Sequence, residues 1–475
     1  MQGQQEYQPK LFSIFNMEEL IPENHLLRKI DKTLDLGFVR EATADLYCQA
    51  NGRPSVDPEL FIRMCLLTYL YNIPSDRQLC EEVQFNLAYR WYCRLSLEDQ
   101  VPDHSSMTRA RDRLGEKIFK EIFDHVVRIC IEKGLVKCDK LMMDGTFVKA
   151  DAATSSRVAR ESIEESSGEG SVSNIKAPKF SNETHVSQTD PESTMAGKEG
   201  EMKQLRYKVH DAIDRDSRIV VDTHVTTGIE HEGKVMSERL DHIEATFSVH
   251  VEELTADRGY GYGVNLNELE KRGIDSLVPN FHKDVGDNID PEIFKYDAGR
   301  DLFTCPQGHF LERKSSDETE KKDYARRYQI RGANCAKCPM MTTCYEKPPQ
   351  NTSARKAFVR NVFWELQFKT KEREKTQAFR LARSERQWKM EGIFAEAKNN
   401  HGLKRARYRG KSKMQIQAYM IATVQNLKRM ACELPAVVVS FQQYAAGVAA
   451  GLKNHFPTRF WTRIIRNIQT FCPVY

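Results

Sequence analysis

The spacing of apolar residues along the first part of the chain predicts helices. In residues 1–135 apolar positions recur every three or four residues, as in the stretch KIFKEIFDHVVRICIEKG that ends at Gly134. Ser75 is followed three residues later by Gln78, a pattern that predicts a capping box at a helix start. These features predict an all-helical N-terminal domain, for which we expect a role in DNA binding and dimerisation.

The pattern changes after residue 135 and becomes a mixture of strands and helices. The stretch LVKCDKLMMDGTFVKADAA predicts a strand, and LRYKVHDAID and RIVVDTHVTTG predict a hairpin because turn residues separate them. Further on, a helix near 235–249, the strand VEELTA, the helix VNLNELEKRG and the strand DSLVP follow. The resulting order, β-β-β-α-β-α-β over residues 136–284, predicts an α/β core with a mixed sheet flanked by helices.

Composition separates the remaining segments. The stretch at about 155–200 is rich in Ser, Glu and Gly and predicts a flexible polar insert within the core. Residues 285–355 carry four cysteines and predict a small insertion domain, while 356–432 are helical and basic. Residues 433–475 are treated as a C-terminal tail.

Charge and length limit the class of protein. The 475 residues contain 71 basic and 67 acidic side chains, so the net charge is only +4 and does not by itself indicate nucleic acid. We find no apolar signal-peptide core at the start and no run of about 18 apolar residues. We therefore expect an intracellular, cytoplasmic protein whose twelve cysteines are thiols or metal ligands rather than disulfides.

Two aspartates stand out because they lie in apolar, strand-like surroundings. Asp144 is followed by Gly145, and Asp257 lies in the stretch TADRGYG. A carboxylate in an apolar strand needs a partner or a cation, and carboxylate oxygens suit Mg²⁺. Asp-Gly at a strand end is also a common turn, so each motif alone leaves both interpretations open.

A third acid lies in the helical stretch SERQWKMEGIFAEAKNNHGLKRARYRGKSK. Glu391 and Lys398 are seven residues apart and share one helix face, whereas Glu396, the rival acid, points to another side. The segment 398–413 carries seven basic residues and no acid, which would neutralise DNA phosphates. A solvated basic face is the alternative. The basic side chains for which we predict DNA contact are Arg77, Arg90, Arg109, Arg386, Lys398, Lys404, Arg405, Arg407, Arg409 and Lys411.

Four cysteines have a spacing typical of metal ligands. Cys335, Cys338 and Cys344 follow one another closely, and Cys305 lies upstream. Four thiolates would bind a structural Zn²⁺ tetrahedrally, and His309 could replace one of them. The alternative is that these are chance thiols without a metal.

Taken together and in order, these motifs resemble the DDE transposases of bacterial insertion sequences. The resemblance includes VPDHSSMTRARDRL, MMDGTFVKADA, TADRGYG, the cysteine-bearing CPQG…CAKCPMMTTC and MEGIFAEAKNNHGLKRARYRG. It is strongest with the branch that carries an insertion before the last acid, group eleven-eighty-two in the usual numbering of insertion sequences.

The resemblance implies an RNase H-like catalytic core whose three acids are Asp144, Asp257 and Glu391. In that family these carboxylates hold two Mg²⁺ ions, for which Mn²⁺ substitutes. Lys398 matches the family lysine two turns after the glutamate, and Arg386 matches the arginine about one turn before it. Arg383 stands where the family often has a tyrosine, so the match is incomplete there.

The implied activity is binding of inverted-repeat ends, hydrolytic nicking and transfer of the 3′-hydroxyl to target DNA. The implied partners are double-stranded DNA and a second copy of the chain, since two ends are cut together, in the bacterial cytoplasm at the nucleoid. Two alternatives stay open: a DNA-binding protein without cleavage activity, and an RNase H-like nuclease without strand transfer.

Overall fold

The computed structural model describes most of the chain in segments. Of the predicted flexible insert, residues 161–181 lie outside the described part, as does the predicted tail at 433–475. The described residues are 16–48, 55–160, 182–198, 200–281, 293–297, 299–314, 325–345, 349–351 and 353–432.

The described residues before 135 are helical, as their periodicity predicts. The helix that begins after Ser75 ends before Asn86, which has extended backbone angles and caps the following helix through its side chain. Ser75 caps the preceding helix by accepting from the Gln78 N–H, as predicted. The helices are α1 (Met17–Leu20), α2 (Leu26–Thr33), α3 (Phe38–Thr43), α4 (Pro58–Leu70), α5 (Asp76–Phe85), α6 (Leu87–Tyr92) and α7 (His104–Glu132).

The longest of these helices, α7, contains a kink. Asp103 caps its start by accepting from the Ser106 N–H. At Gly115 the φ angle is 62° and the backbone leaves the helical region, a conformation that favours glycine.

The central sheet has the mixed composition that the sequence predicts. Two helices connect its later strands. The elements are β1 (Lys140–Lys149), β2 (Arg157–Ala159), β3 (His185–Ser187), β4 (Thr194–Ala196), β5 (Gln204–Asp214), β6 (Val220–Thr227), α8 (Glu232–Phe247), β7 (Glu253–Ala256), α9 (Gly263–Lys271) and β8 (Asp275–Leu277).

The strands of this sheet lie in the order β6-β5-β1-β7-β8, with β4 beside the start of β5. β5 is antiparallel to β1, and β6 is antiparallel to β5. β7 is parallel to β1, and β8 is parallel to β7. Consequently β1, the strand of Asp144, lies in the middle of the sheet.

Part of the polar insert is ordered, which corrects the expectation of flexibility there. β2 pairs with β3, and β4 pairs with β5. Asp190 is fully buried and accepts a hydrogen bond of 2.6 Å from the Tyr207 hydroxyl. The segment is therefore held partly by its own two-stranded sheet, β2 and β3, and partly by the pairing of β4 with β5 and the hydrogen bond of Asp190 to Tyr207.

The cysteine-bearing region forms a second antiparallel sheet with its own apolar cluster. Phe303, Tyr328 and Trp364 are buried in this cluster, separately from the main core. The elements are β9 (Lys295–Asp297), β10 (Leu302–Thr304), β11 (Phe310–Lys314), β12 (Ala325–Ile330), α10 (Met341–Cys344) and β13 (Ala357–Asn361).

Three helices follow: α11 (Trp364–Glu374), α12 (Gln377–Asn400) and α13 (Lys411–Ala431). α13 is buried along most of its length and packs against β6, α2, α4 and α7. Its Gln415 and Asn426 side chains hydrogen-bond the backbone of β6 at Val225 and Val220. α13 thus joins the N-terminal helices and the central sheet in one apolar core, and it satisfies backbone groups on the outer edge of β6.

In the part of the chain described here, no helix has the length and apolar character that crossing a lipid bilayer requires.

Candidate active site

Asp144 and Asp257 are brought together by the central sheet. Asp144 lies within β1, and Asp257 directly follows β7. The two strands are parallel, with Met143 opposite Ala256, so the next residue of each strand is an aspartate. The two aspartates singled out in the sequence therefore occupy neighbouring positions across two strands.

A guanidinium from α12 contacts both carboxylates. Arg386 lies 2.6 Å from Asp144 and 4.0 Å from Asp257, and its side chain is only 10% exposed. Burial raises the pKa of Asp144 to about 6, the positive charge of Arg386 opposes that rise, and the charges of Glu232 and Asp257 add to it. Asp144 therefore lies in a desolvated, acid-rich environment in which Arg386 supplies part of the balancing positive charge.

The third predicted acid, Glu391, does not join Asp144 and Asp257 beside Arg386. It is exposed on α12, where its carboxylate accepts a hydrogen bond of 3.3 Å from Gln387. Within the segments that the structure describes, no group of three or more acid, histidine or cysteine side chains is arranged to hold a metal ion. The three predicted acids are thus on elements that adjoin one another, but their carboxylates do not surround one point.

Lys398 binds the same strand as Arg386 from further along α12. Its ammonium donates to the Thr146 hydroxyl at 2.6 Å, two residues beyond Asp144. Burial and the charges of Lys198 and Arg206 lower the pKa of Lys398. Arg386 and Lys398 together attach α12 along β1, with Glu391 between them in the helix.

Glu396, the rival acid, is occupied elsewhere. It pairs with Lys428 and Arg429 of α13, each at 2.9 Å, and lies 3.5 Å from His401. Burial would raise its pKa, but the hydrogen bonds from His401 and Lys428 and the charge of Arg429 hold the pKa well below its ordinary value. Glu396 is therefore a structural anion that joins α12 to α13.

The basic residues predicted to contact DNA fall into different environments. Lys404, Arg405, Arg409 and Lys411 are exposed and lie beside the end of β1, where the backbone of Arg405 bridges to Lys149. We call these four side chains the basic segment. Arg405 and Arg409 each approach Asp151, at 2.8 and 3.5 Å.

Other predicted DNA contacts lie on the N-terminal helices. Arg77 and Arg109 are exposed there. Arg90 is 2% exposed, and its guanidinium donates to the carbonyls of Ser96 and Asp99. It stabilises its own loop, so we do not include Arg90 in a DNA-contacting surface.

Arg407 also has an internal role. It is half-buried over the Tyr69 ring, and it donates to the Ile73 carbonyl and the Asn72 side chain. These contacts join the segment after α12 to the end of α4. Arg407 therefore links the N-terminal helices to the rest of the molecule.

The four cysteines predicted to bind zinc line one cavity. Cys305 follows β10, Cys335 begins a short 3₁₀ segment that Cys338 directly follows, and Cys344 ends α10. The cavity has a volume of about 310 Å³ and is also lined by His309. Burial raises the pKa of Cys344, and the charges of Cys305, Cys338 and Cys335 contribute to that rise. All four thiols are free and line the same cavity, but within the described residues they do not form a group arranged to hold a metal ion.

One acidic residue near Asp144 was not singled out in the sequence. Glu232 is the first residue of α8, and its carboxylate lies against Gly145 and Gly259. The available signal was an acid in the first turn of the helix that follows the hairpin. Acids in the first turn of a helix usually interact favourably with the helix dipole, so the pattern alone did not indicate an active-site residue.

Two regions of the chain match known protein families. Residues 15–113 match a family described as a transposase domain (DUF772), and residues 304–431 match the transposase DDE domain. The two matches support a DDE transposase. The second match contains Arg386, Glu391 and Lys398, whereas Asp144 and Asp257 lie between the matched regions.

Among solved structures, the chain is similar to complexes of the Mos1 transposase. A pre-cleavage Mos1 transpososome is 11% identical, with 48% of this chain and 61% of that chain covered and a TM-score of 0.16. The Mos1 mariner paired-end complex with Mn is 10% identical, with coverages of 50% and 64% and the same TM-score of 0.16. The chain thus spans less than two thirds of the length of these transposase chains.

Proposed function

We propose that the protein is a DNA transposase that binds the inverted-repeat ends of an insertion sequence, nicks them hydrolytically and joins the 3′-hydroxyl to target DNA. The observation that carries the proposal is the pair of Asp144 and Asp257 on adjacent parallel strands. Both contact Arg386, which lies in the region that matches the DDE domain.

The topology of the central sheet supports an RNase H-like core. An antiparallel group of three strands, β1, β5 and β6, is extended by two strands parallel to β1, and helices connect the later strands. This arrangement has the strand directions and helix crossovers expected for the family that the sequence resembles. It leaves Asp144 in the central strand and Asp257 at the end of the neighbouring strand.

The residues present fit a divalent-metal site. Arg386 pairs with Asp144 and approaches Asp257, and this preference of the two carboxylates for positive charge supports the proposal. We propose that Asp144, Asp257 and Glu391 hold two Mg²⁺ ions, for which Mn²⁺ substitutes. Bound ions would lower the pKa of an attacking water and stabilise the leaving oxygen. Arg386 and Lys398 would position α12, and therefore Glu391, against β1.

DNA is the proposed partner, and the basic segment is the proposed contact. Lys404, Arg405, Arg409 and Lys411 are exposed beside the end of β1, the strand that carries Asp144. Cations placed there would neutralise phosphates on both sides of a scissile bond and give a salt-dependent affinity. We also propose a homodimer in the complex that brings two ends together, because each end needs its own active site.

The cysteine region is proposed to bind a structural Zn²⁺. Cys305, Cys335, Cys338 and Cys344 line one cavity, and four thiolates are a common donor set for structural zinc. The ion would stabilise a sheet whose apolar cluster is small. Elemental analysis should find one zinc per chain, lost in Cys338→Ser and kept in Cys432→Ser, which changes an exposed cysteine. A metal-free wild-type protein would show that the thiols have no such role.

The activity is tested with duplex DNA that carries the element's own ends. Asp144→Ala, Asp257→Ala and Glu391→Gln should each abolish Mg²⁺-dependent nicking while end binding is retained. Glu372→Gln, which changes a half-exposed acid on α11, serves as the control and should nick normally. Full cleavage by any of the three variants would refute the assignment of that residue.

The same assay distinguishes the alternatives. Tight end binding by the wild-type chain without metal-dependent nicking would identify a DNA-binding protein without cleavage activity. Nicking without joining of pre-nicked ends to target DNA would identify a nuclease. Only nicking followed by joining supports a transposase.

A further inference from the structure

Glu232 reaches the point where β1 and β7 carry the two aspartates. A Cβ atom added at Gly145 would lie 3.1 Å from Glu232 Oε1, and one added at Gly259 would lie 2.6 Å from Oε2. Gly145 follows Asp144 directly, and Gly259 is two residues beyond Asp257. The carboxylate of Glu232 is therefore packed between the backbones of both acidic motifs.

This packing explains why glycine occupies positions 145 and 259. The contact at Gly259 is closer than side-chain atoms tolerate, and the contact at Gly145 is tight. A side chain at either position would displace the Glu232 carboxylate. The space that the two glycines leave near Asp144 and Asp257 is thus occupied by the carboxylate of Glu232 from α8.

The carboxylate of Glu232 interacts both with a neighbouring cation and with the acid Asp144. Lys208 is its basic neighbour, with its ammonium 3.4 Å from Oε1. The charge of Glu232 also contributes to the raised pKa of Asp144, after burial and alongside Asp257. Glu232 therefore lies against the two aspartate motifs, and two cations, Lys208 and Arg386, pair with Glu232 and Asp144 respectively.

Two buried polar groups next to this cluster lack a hydrogen-bond partner among the described residues. The Tyr260 side chain is fully buried, and its hydroxyl is unpaired. Burial and the charges of Glu232, Asp144 and Asp257 raise its pKa. The second group is Nδ1 of His210, a residue 2% exposed, and this atom would lie 3.3 Å from a Cβ at Gly145.

Unpaired buried polar groups are rare in folded proteins, and two of them beside one acid cluster point to a missing ligand. A hydrated cation fits because its water molecules donate to carboxylates and accept from a hydroxyl. An apolar ligand would leave both groups unsatisfied.

We infer that Glu232 is a fourth carboxylate of the divalent-metal site, where it holds a cation together with Asp144 and Asp257. The inference rests on the proposed function, since it concerns the same site. On this assignment Lys208 and Arg386 pair with the carboxylates of Glu232 and Asp144 when no metal ion is bound.

The test measures Mn²⁺ binding to the full chain by isothermal titration calorimetry without DNA. Glu232→Gln should weaken the affinity at least about tenfold, since even outer ligands of metal sites change affinity by roughly 10–100-fold. Glu232→Asp should weaken it less. Glu238→Gln, on the same helix with a side chain 71% exposed, is the matched control and should bind as wild type.

The outcomes separate this inference from the proposed function. If Asp144→Asn loses Mn²⁺ but Glu232→Gln keeps wild-type affinity, Glu232 is only the ion-pair partner of Lys208 and the inference is wrong. If the wild-type chain binds no Mn²⁺, the inference and the metal site of the proposed function both fail. If Glu232→Gln does not fold by circular dichroism, the Glu232→Asp affinity decides, and wild-type binding by it overturns the inference.

Discussion

Replacing Asp144 with asparagine should make the metal-free protein more stable, and increasingly so as the pH rises. The carboxyl group has a pKa of about 6 in the folded chain against 3.8 as its ordinary value. A difference of about two pKa units corresponds to roughly 3 kcal/mol. The side chain is 21% exposed, so solvent screening removes only part of this free energy.

The sign follows from proton binding. Between pH 3.8 and about 6 the folded chain holds a proton on Asp144 that the unfolded chain has released. Stability therefore falls as the pH rises through this window, and the loss is complete above it. Asparagine resembles the protonated form at every pH, so the variant does not undergo this loss.

Urea unfolding of both proteins in EDTA at several pH values measures the effect. We expect the free energy of unfolding of Asp144→Asn, relative to wild type, to rise by about 2 kcal/mol from pH 4 to pH 8. Comparing the two proteins at each pH cancels contributions that are the same in both. A difference that stays constant with pH would refute the argument that Asp144 is held in a desolvated, acid-rich site.

Three further predictions concern other contacts. Changing Arg405 and Arg409 to alanine should lower the slope of log K for DNA against log salt by about 2 in a gel assay, and an unchanged slope would exclude phosphate contact. Arg239→Met should lower the free energy of urea unfolding by about 3–5 kcal/mol because buried Asp222 loses its guanidinium, and a loss below about 1 kcal/mol would contradict this. Ser75→Ala should cost about 1 kcal/mol through the lost helix cap, measured in the same way, with no loss counting against it.

The sequence pattern predicted helix starts, turns and strands correctly where a single short-range interaction determines them. The Ser75 cap, the hairpin of β5 and β6, and the strand around Asp144 are all present. Each depends on neighbours within a few residues, such as a hydroxyl facing a free helix N–H. The strands β2, β3 and β4 could not be predicted, because their polar residues are held by strand pairing with partners elsewhere in the chain, β2 with β3 and β4 with β5 of the central sheet.

The candidate active site was likewise predicted only in part from the sequence. The sequence by itself determined which carboxylates lie in apolar strands, and it therefore identified Asp144 and Asp257. Only the tertiary structure decided what surrounds them: Arg386 from α12 beside both acids, and Glu232 from α8 between their glycines. The physical reason is that these contacts join residues far apart in the chain, so their distances depend on how sheet and helices pack. Periodicity within one element does not carry that information.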